Sequence, residues 1–254
     1  MKKIADFLLS KGFIAWGLLL IVWQTASALN HTDFLPGPFE TLAGGKEIAL
    51  NGVLFQYICA SYMRIFTGWS LGILGAVPTG LLIGQFRTVR RVLEPIINFF
   101  RFVPAIGFLT LFLMWFGVGE KSKIALIIYA TTFPIIINTI AGVAGINPVT
   151  VQVAQSQGAN AAQIFFTVTV PASVPFIFTG LRLGLSGAII SIAAAEMLAA
   201  QKGLGYLIYT SRLYFRTDWI FIGILTLGLT GYFSDRFLRF FGRTALKRYG
   251  VKDK

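Results

Sequence analysis

Two charges, Arg182 and Glu196, lie inside a single long apolar run of the chain. Fourteen residues separate them, about 21 Å along an α-helix and nearly four turns, so they project from similar faces at opposite ends. Ser186, Ile189 and Ala193 fall between them on that face. Charges at membrane depth usually face protein or water and often mark a transport pathway. On this reading Arg182 supplies an attractive field for an anion, and Ser186 and Glu196 are pathway or gate candidates. The alternative is structural, with Arg182 snorkelling to the inner interface and Glu196 paired near the outer one, where Arg64 is a candidate partner. Both readings stay open on spacing alone.

Other chemistries are removed by residue usage. Cys59 and His31 are each alone of their type, so the chain builds neither an intrachain disulfide nor a multi-histidine or cysteine metal site. Gly45-Lys46 is followed by Glu47, and Glu40 stands where a phosphate loop needs its first glycine, so no ATP site is expected here. No nucleophile and base pair converges within the apolar runs, which places a membrane-embedded enzyme behind any transport reading.

A third group of residues is polar without being charged. No charge occurs between Ile124 and Leu181, yet the middle carries Asn147, Gln152, Gln155, Ser156, Gln157, Asn160 and Gln163. So many amides are costly in lipid, which places the stretch outside the membrane. The spacing predicts a short helix after Pro148, a break at Gly158, and a second helix over Gln163–Thr169 that Pro171 ends or redirects. Such an elbow suits docking into the groove of another protein, or serves as a plain connector.

The elements that must position these groups are membrane helices. Hydrophobic residues make up 56% of the 254 and charged ones 13%, with a mean hydropathy of +0.74, well outside the soluble range. Six all-α spans are expected, at about 12–30, 61–84, 95–119, 124–145, 174–200 and 218–237, the third bent at Pro104. With the N-terminus inside, fourteen Lys and Arg fall on the inner side, among them Lys11, Arg87, Arg90, Arg91 and Arg101, and six on the outer, including Lys46, Lys202 and Arg216. The positive-inside rule then puts both termini in the cytoplasm. That asymmetry and a basic C-terminal tail facing anionic lipid account for most of the net charge of +12, leaving nucleic acid no role as a partner. Gly80-LLI-Gly84 and Gly180-LRL-Gly184 permit close helix approach, within the chain or between copies.

The segment QVAQSQGANAAQIFFTVTVP resembles the cytoplasmic signature of permease subunits of binding-protein-dependent ABC importers: Glu-Ala-Ala, three residues, Gly, nine residues, then Ile-x-Leu-Pro. Gln152, Val153 and Ala154 fall on the triplet, Gly158 on the glycine, and Val168, Val170 and Pro171 on the end. Gln152 in place of Glu removes a charge. RFVPAIGFLTLFLMWFGVGEKSKI, FPIIINTIAGVAGINP, PFIFTGLRLG, AAAEMLAAQKGLGYLI and the LPGP at Leu35–Pro38 are similar to the nitrate, taurine, sulfonate and bicarbonate branch. The resemblance implies a type I importer permease, a single six-helix transmembrane domain in the bacterial plasma membrane, working as two copies with two ATP-binding subunits and an extracytoplasmic substrate-binding protein. It further implies that Gln152, Val153, Ala154, Gly158, Ala159 and Pro171 couple to the ATPase, that ATP and Mg are bound by that partner, and that no cofactor sits in this chain. A gradient-driven secondary transporter or channel fits the hydropathy equally, but calls for inverted repeats.

Overall fold

The computed structural model describes residues 13–30 and 34–249, all helices and their connections; His31 and the terminal lysines of the charge count lie outside them. Helix α1 (Phe13–Asn30) is followed by α2 (Pro38–Leu50), α3 (Val53–Gln85), α4 (Arg87–Phe100), α5 (Ala105–Phe116) and α6 (Glu120–Ala144). Next come α7 (Pro148–Ser156), α8 (Ala161–Ile164), a π-helical turn (Phe165–Thr169), α9 (Val170–Ala199), α10 (Leu204–Leu213) and α11 (Thr217–Ala245).

Among the described residues, three helices are long and apolar enough to cross a membrane unaided: Val53–Gln85, Glu120–Ala144 and the run Ala161–Ala199. The pair α4 and α5 passes only together, bent by 94°. This break at residues 101–104 fits the expected bend at Pro104, which stands at the N-cap of α5. Helix α3 starts eight residues before its expected position and α11 runs eight residues past its own. Uncharged polar residues at one end and a paired Asp235, Arg239 turn at the other are compatible with helix although not with a lipid core.

Helix α6 is the central post, packed most extensively against α3 and α9. The glycines explain how. A Cβ on Gly80 would fall 2.7 Å from the Thr139 Cβ, and one on Gly180 would fall 3.0 Å from the Asn138 Cβ. Both small-residue seams therefore seat on α6 of the same chain, which decides for intrachain packing. Gly68, Gly72, Gly80 and Gly84 meet Ile127, Thr131, Thr139 and Val143 in rising order, so α3 and α6 run parallel; α9 runs antiparallel to both, with Gly180 against Ile135 and Gly187 against Ala130. Ile65, Trp69, Leu109, Leu126, Ile127, Ala188 and Ile192 fill the core at one level, and Ala76, Ile83, Ile135, Ile136 and Ile140 at another.

One expectation is overturned at Pro171. The proline neither ends nor redirects the helix: Ala161–Ala199 is continuous. Just before it the Val170 N–H reaches back five residues to the Phe165 carbonyl. A π-bulge absorbs the irregularity, and Pro171 stands in the first turn of α9, where its missing N–H is least costly.

Candidate functional site

The polar elbow is built from two short capped helices. Asn147 caps α7, its Oδ1 accepting the Val149 N–H at 2.9 Å, and Pro148 opens the first turn. Helix α7 ends where the Gly158 N–H donates to the Gln155 carbonyl and the Ala159 N–H to Ala154. Gly158 has φ +82, the left-handed region that costs other residues strain. Asn160 and Gln163 then bond each other's backbone N–H reciprocally, at 2.8 and 2.9 Å, and start α8.

No residue of α7 is buried. Val149, Gln152, Val153 and Ser156 follow i, i+3, i+4, i+7 spacing and so share one face; all four are exposed. Ala154, Ala159 and Pro171 are half-buried. The elbow is thus internally rigid and presents a mixed valine and amide surface that the other described residues leave uncovered.

At the other end of the bundle the structure makes the pairing between Arg64 and Glu196. Arg64 Nη1 donates to Glu196 Oε1 at 2.7 Å and to the Lys202 carbonyl at 2.7 Å, while Nε and Nη2 grip Glu120 at 2.6 and 2.7 Å. The Glu196 side chain is 0% exposed. It also accepts from Ser61 Oγ at 2.8 Å and from the Gly205 N–H at 2.9 Å, and Ser61 Oγ accepts from the Leu204 N–H. A carboxylate at the first turn of α10 completes orphan donors there and complements the helix dipole. Gly203, with φ +132, leaves the room this needs, since a Cβ there would lie 2.4 Å from the Glu196 Cδ. Glu120 and this cap went unread in the sequence, where only the adjacent GLG of Gly203–Gly205 hinted at a close approach. Outside the spans, hydrogen bonds to Asp218 and Glu47 hold the Arg216 guanidinium above its ordinary pKa.

Arg182 has a partner the sequence did not reveal. Its Nε donates to Asp235 Oδ1 at 2.7 Å and its Nη2 to Oδ2 at 3.3 Å, and Arg239 binds the same carboxylate. Ser186 is exposed one turn along, its hydroxyl directed to the Arg182 carbonyl at 3.3 Å. Arg182, Ser186 and Glu196 therefore do not converge on one site.

Residues 76–247 match the family described as Binding-protein-dependent transport system inner membrane component. The chain belongs to this family. The taurine transport system permease protein TauC of Escherichia coli (strain K12) is 36% identical over 91% of this chain and 86% of its own length. The nitrate import permease protein NrtB of Synechocystis sp. is 31% identical over 89% and 86%. Among solved structures, an inward-facing MetNI methionine ABC transporter aligns with a TM-score of 0.62 at 18% identity, covering 74% of this chain and 95% of that one, which shows the shared fold. The protein is the inner-membrane permease subunit of an ABC importer, and a gradient-driven carrier is thereby set aside.

Proposed function

We propose that the permease carries a small anion, of the class of nitrate, taurine and other sulfonates or bicarbonate, driven by a separate ATPase. It works as a pair of permease copies spanning the membrane six times each, with both termini in the cytoplasm. Two ATP-binding subunits, holding ATP and Mg, dock on the elbows, and an extracytoplasmic binding protein delivers substrate. The taurine and nitrate permeases among its relatives support the substrate class. The clustering of Arg87, Arg90 and Arg91 at the start of α4, just after the elbow-side end of α3, supports the orientation.

The observation that carries the coupling reading is the exposed face of α7 joined, through one glycine and one capping box, to a helix that continues unbroken into the membrane. A force on Val149, Gln152, Val153 and Ser156 would reach α9 through this joint, because the caps fix α7 and α8 on either side of the turn at Gly158. Gln152 offers hydrogen bonds in place of a charge, so seating relies on shape and amides more than on an ion pair. Gln152→Cys, in a Cys59→Ser background, should cross-link to the ATPase with short bifunctional reagents in the assembled transporter. Absence of any cross-link from Gln152, Val153 and Ser156 positions would place the ATPase contact elsewhere.

A further inference from the structure

Arg182 is held by Asp235 and Arg64 by two glutamates, whereas a third arginine has no such carboxylate among the described residues. Arg101 lies in the irregular break between α4 and α5. Its level in the membrane is fixed by Tyr129, whose hydroxyl donates to the Phe100 carbonyl at 2.8 Å and contacts the Val103 carbonyl at 3.4 Å. Tyr129 is nine residues into the 25-residue helix α6, about 14 Å from its outer end and about 22 Å from its inner one. The inner charge count includes Arg101 although it interrupts the expected third span; the structure sets the break beside the middle of α6. The physical reason is that α4 runs along the core, with Leu93 and Ile97 packed against the cluster of Ala76, Ile83, Ile135, Ile136 and Ile140.

Non-helical backbone at this depth occurs where it is enclosed by protein or lines a watery cavity, and a cation there faces the same surroundings. A cavity of about 480 Å³ opens at the break, lined by Arg101, Phe102, Tyr129, Ala130, Phe133 and Ile137. Arg101 is exposed. Among the described residues it has no carboxylate partner within ion-pair distance; its guanidinium rests over the Phe102 ring, 4.6 Å from the centroid. Five fixed donors on a planar cation, beside an aromatic wall, match the flat or three-oxygen face of a nitrate, bicarbonate or sulfonate group.

We infer that Arg101 and the cavity at the break between α4 and α5 form an oxyanion-binding station in the translocation pathway, a site that rests on the anion reading of the transporter. Arg101 supplies the attraction. The Phe102, Tyr129 and Phe133 rings limit the size of what fits beside it. Release is eased because a single cation holds the anion, where several convergent donors would trap it.

The test uses the permease assembled with its ATPase and binding protein in proteoliposomes. Uptake of labelled nitrate, taurine and bicarbonate is measured for Arg101→Gln and Arg101→Lys. Arg101→Gln should assemble with its ATPase and binding protein while losing roughly tenfold or more in uptake of whichever anion is carried, and Arg101→Lys should recover part of the loss. A second readout does not need the substrate. In a Cys59→Ser background, Ala130→Cys places a thiol on the cavity wall, and its modification by negatively and positively charged methanethiosulfonates is compared. The negative reagent should react faster by roughly tenfold, and Arg101→Gln should abolish the preference. Unchanged uptake in Arg101→Gln, or reaction at position 130 with lipid-soluble maleimide alone, would overturn the site. A wild-type transporter that imports none of the three probes yet keeps the charge preference would refute the anion reading of the importer and leave the cationic cavity standing.

Discussion

Replacing Arg64 by methionine tests whether the outer cluster is a keystone of the fold. The two limbs of its guanidinium differ in setting: Glu196 is wholly buried, whereas the Glu120 side chain is 56% exposed. The exposed limb contributes about 0–1 kcal/mol. The buried limb is another matter, since removing one partner strands a desolvated charge at a cost of about 3–5 kcal/mol. Arg64→Met should therefore destabilise by about 3–5 kcal/mol, nearly all of it through Glu196. Glu196→Gln keeps an acceptor for Ser61 and Gly205 and leaves Arg64 its bidentate bond to Glu120, so a smaller loss of about 1–3 kcal/mol follows. In the double variant the stranded charge is gone, and the combined loss should fall short of the sum by about 2 kcal/mol or more. Unfolding in detergent micelles, titrated with sodium dodecyl sulfate and followed by tryptophan fluorescence, measures all four corners of the cycle. Additive losses would refute the pairing, and a wild-type midpoint for Arg64→Met would refute the keystone role.

Three further outcomes follow from the packing and the elbow. Gly158→Leu meets open space but a φ of +82, so the permease should insert and pack normally while the elbow shifts; ATP hydrolysis should lose its stimulation by loaded binding protein, and retained stimulation would make the elbow a mere connector. Gly72→Ala drives a Cβ to 2.2 Å from Thr131 Oγ1 and should cost about 1–3 kcal/mol by overpacking, read as a lower denaturation midpoint, whereas Gly107→Ala, with nothing within 4 Å, should be near neutral. In a Cys59→Ser background, Gln157→Cys should label only from the cytoplasm and Arg212→Cys only from outside; labelling of both from one face would sink the six-span arrangement.

Apolar run length and breaker residues made most of the helices legible, because lipid imposes one crude rule on every span. Residues at the edges were harder. Gln56, Tyr57 and Cys59 carry no charge to stop a helix, so α3 extends further than a hydropathy reading allows. The outline of the elbow was legible, since Pro148 and Gly158 act locally, whereas the Asn147 and Asn160 caps and the π turn before Pro171 were not read. The partner of Arg182 was hidden for the opposite reason: Asp235 lies 53 residues away, and only three-dimensional packing brings it near. Arg101 was counted with the inner charges although it falls within the expected third span, because sequence alone does not say how high a helix climbs before it breaks.

The continuity of Ala161–Ala199 has a mechanical consequence. From Ala161 at the elbow to Glu196 in the outer cluster is 35 residues, about 52 Å of helix. Pivoted near its cytoplasmic end, such a rod turns a tilt of roughly 5° into about 4–5 Å of travel at Glu196, more than the 2.7 Å that now separates it from Arg64. On the proposed coupling, a small movement at α7 would be enough to part the far clasp. On that coupling, the hydrogen bonds of Ser61, Gly205 and Arg64 to Glu196 would resist that travel.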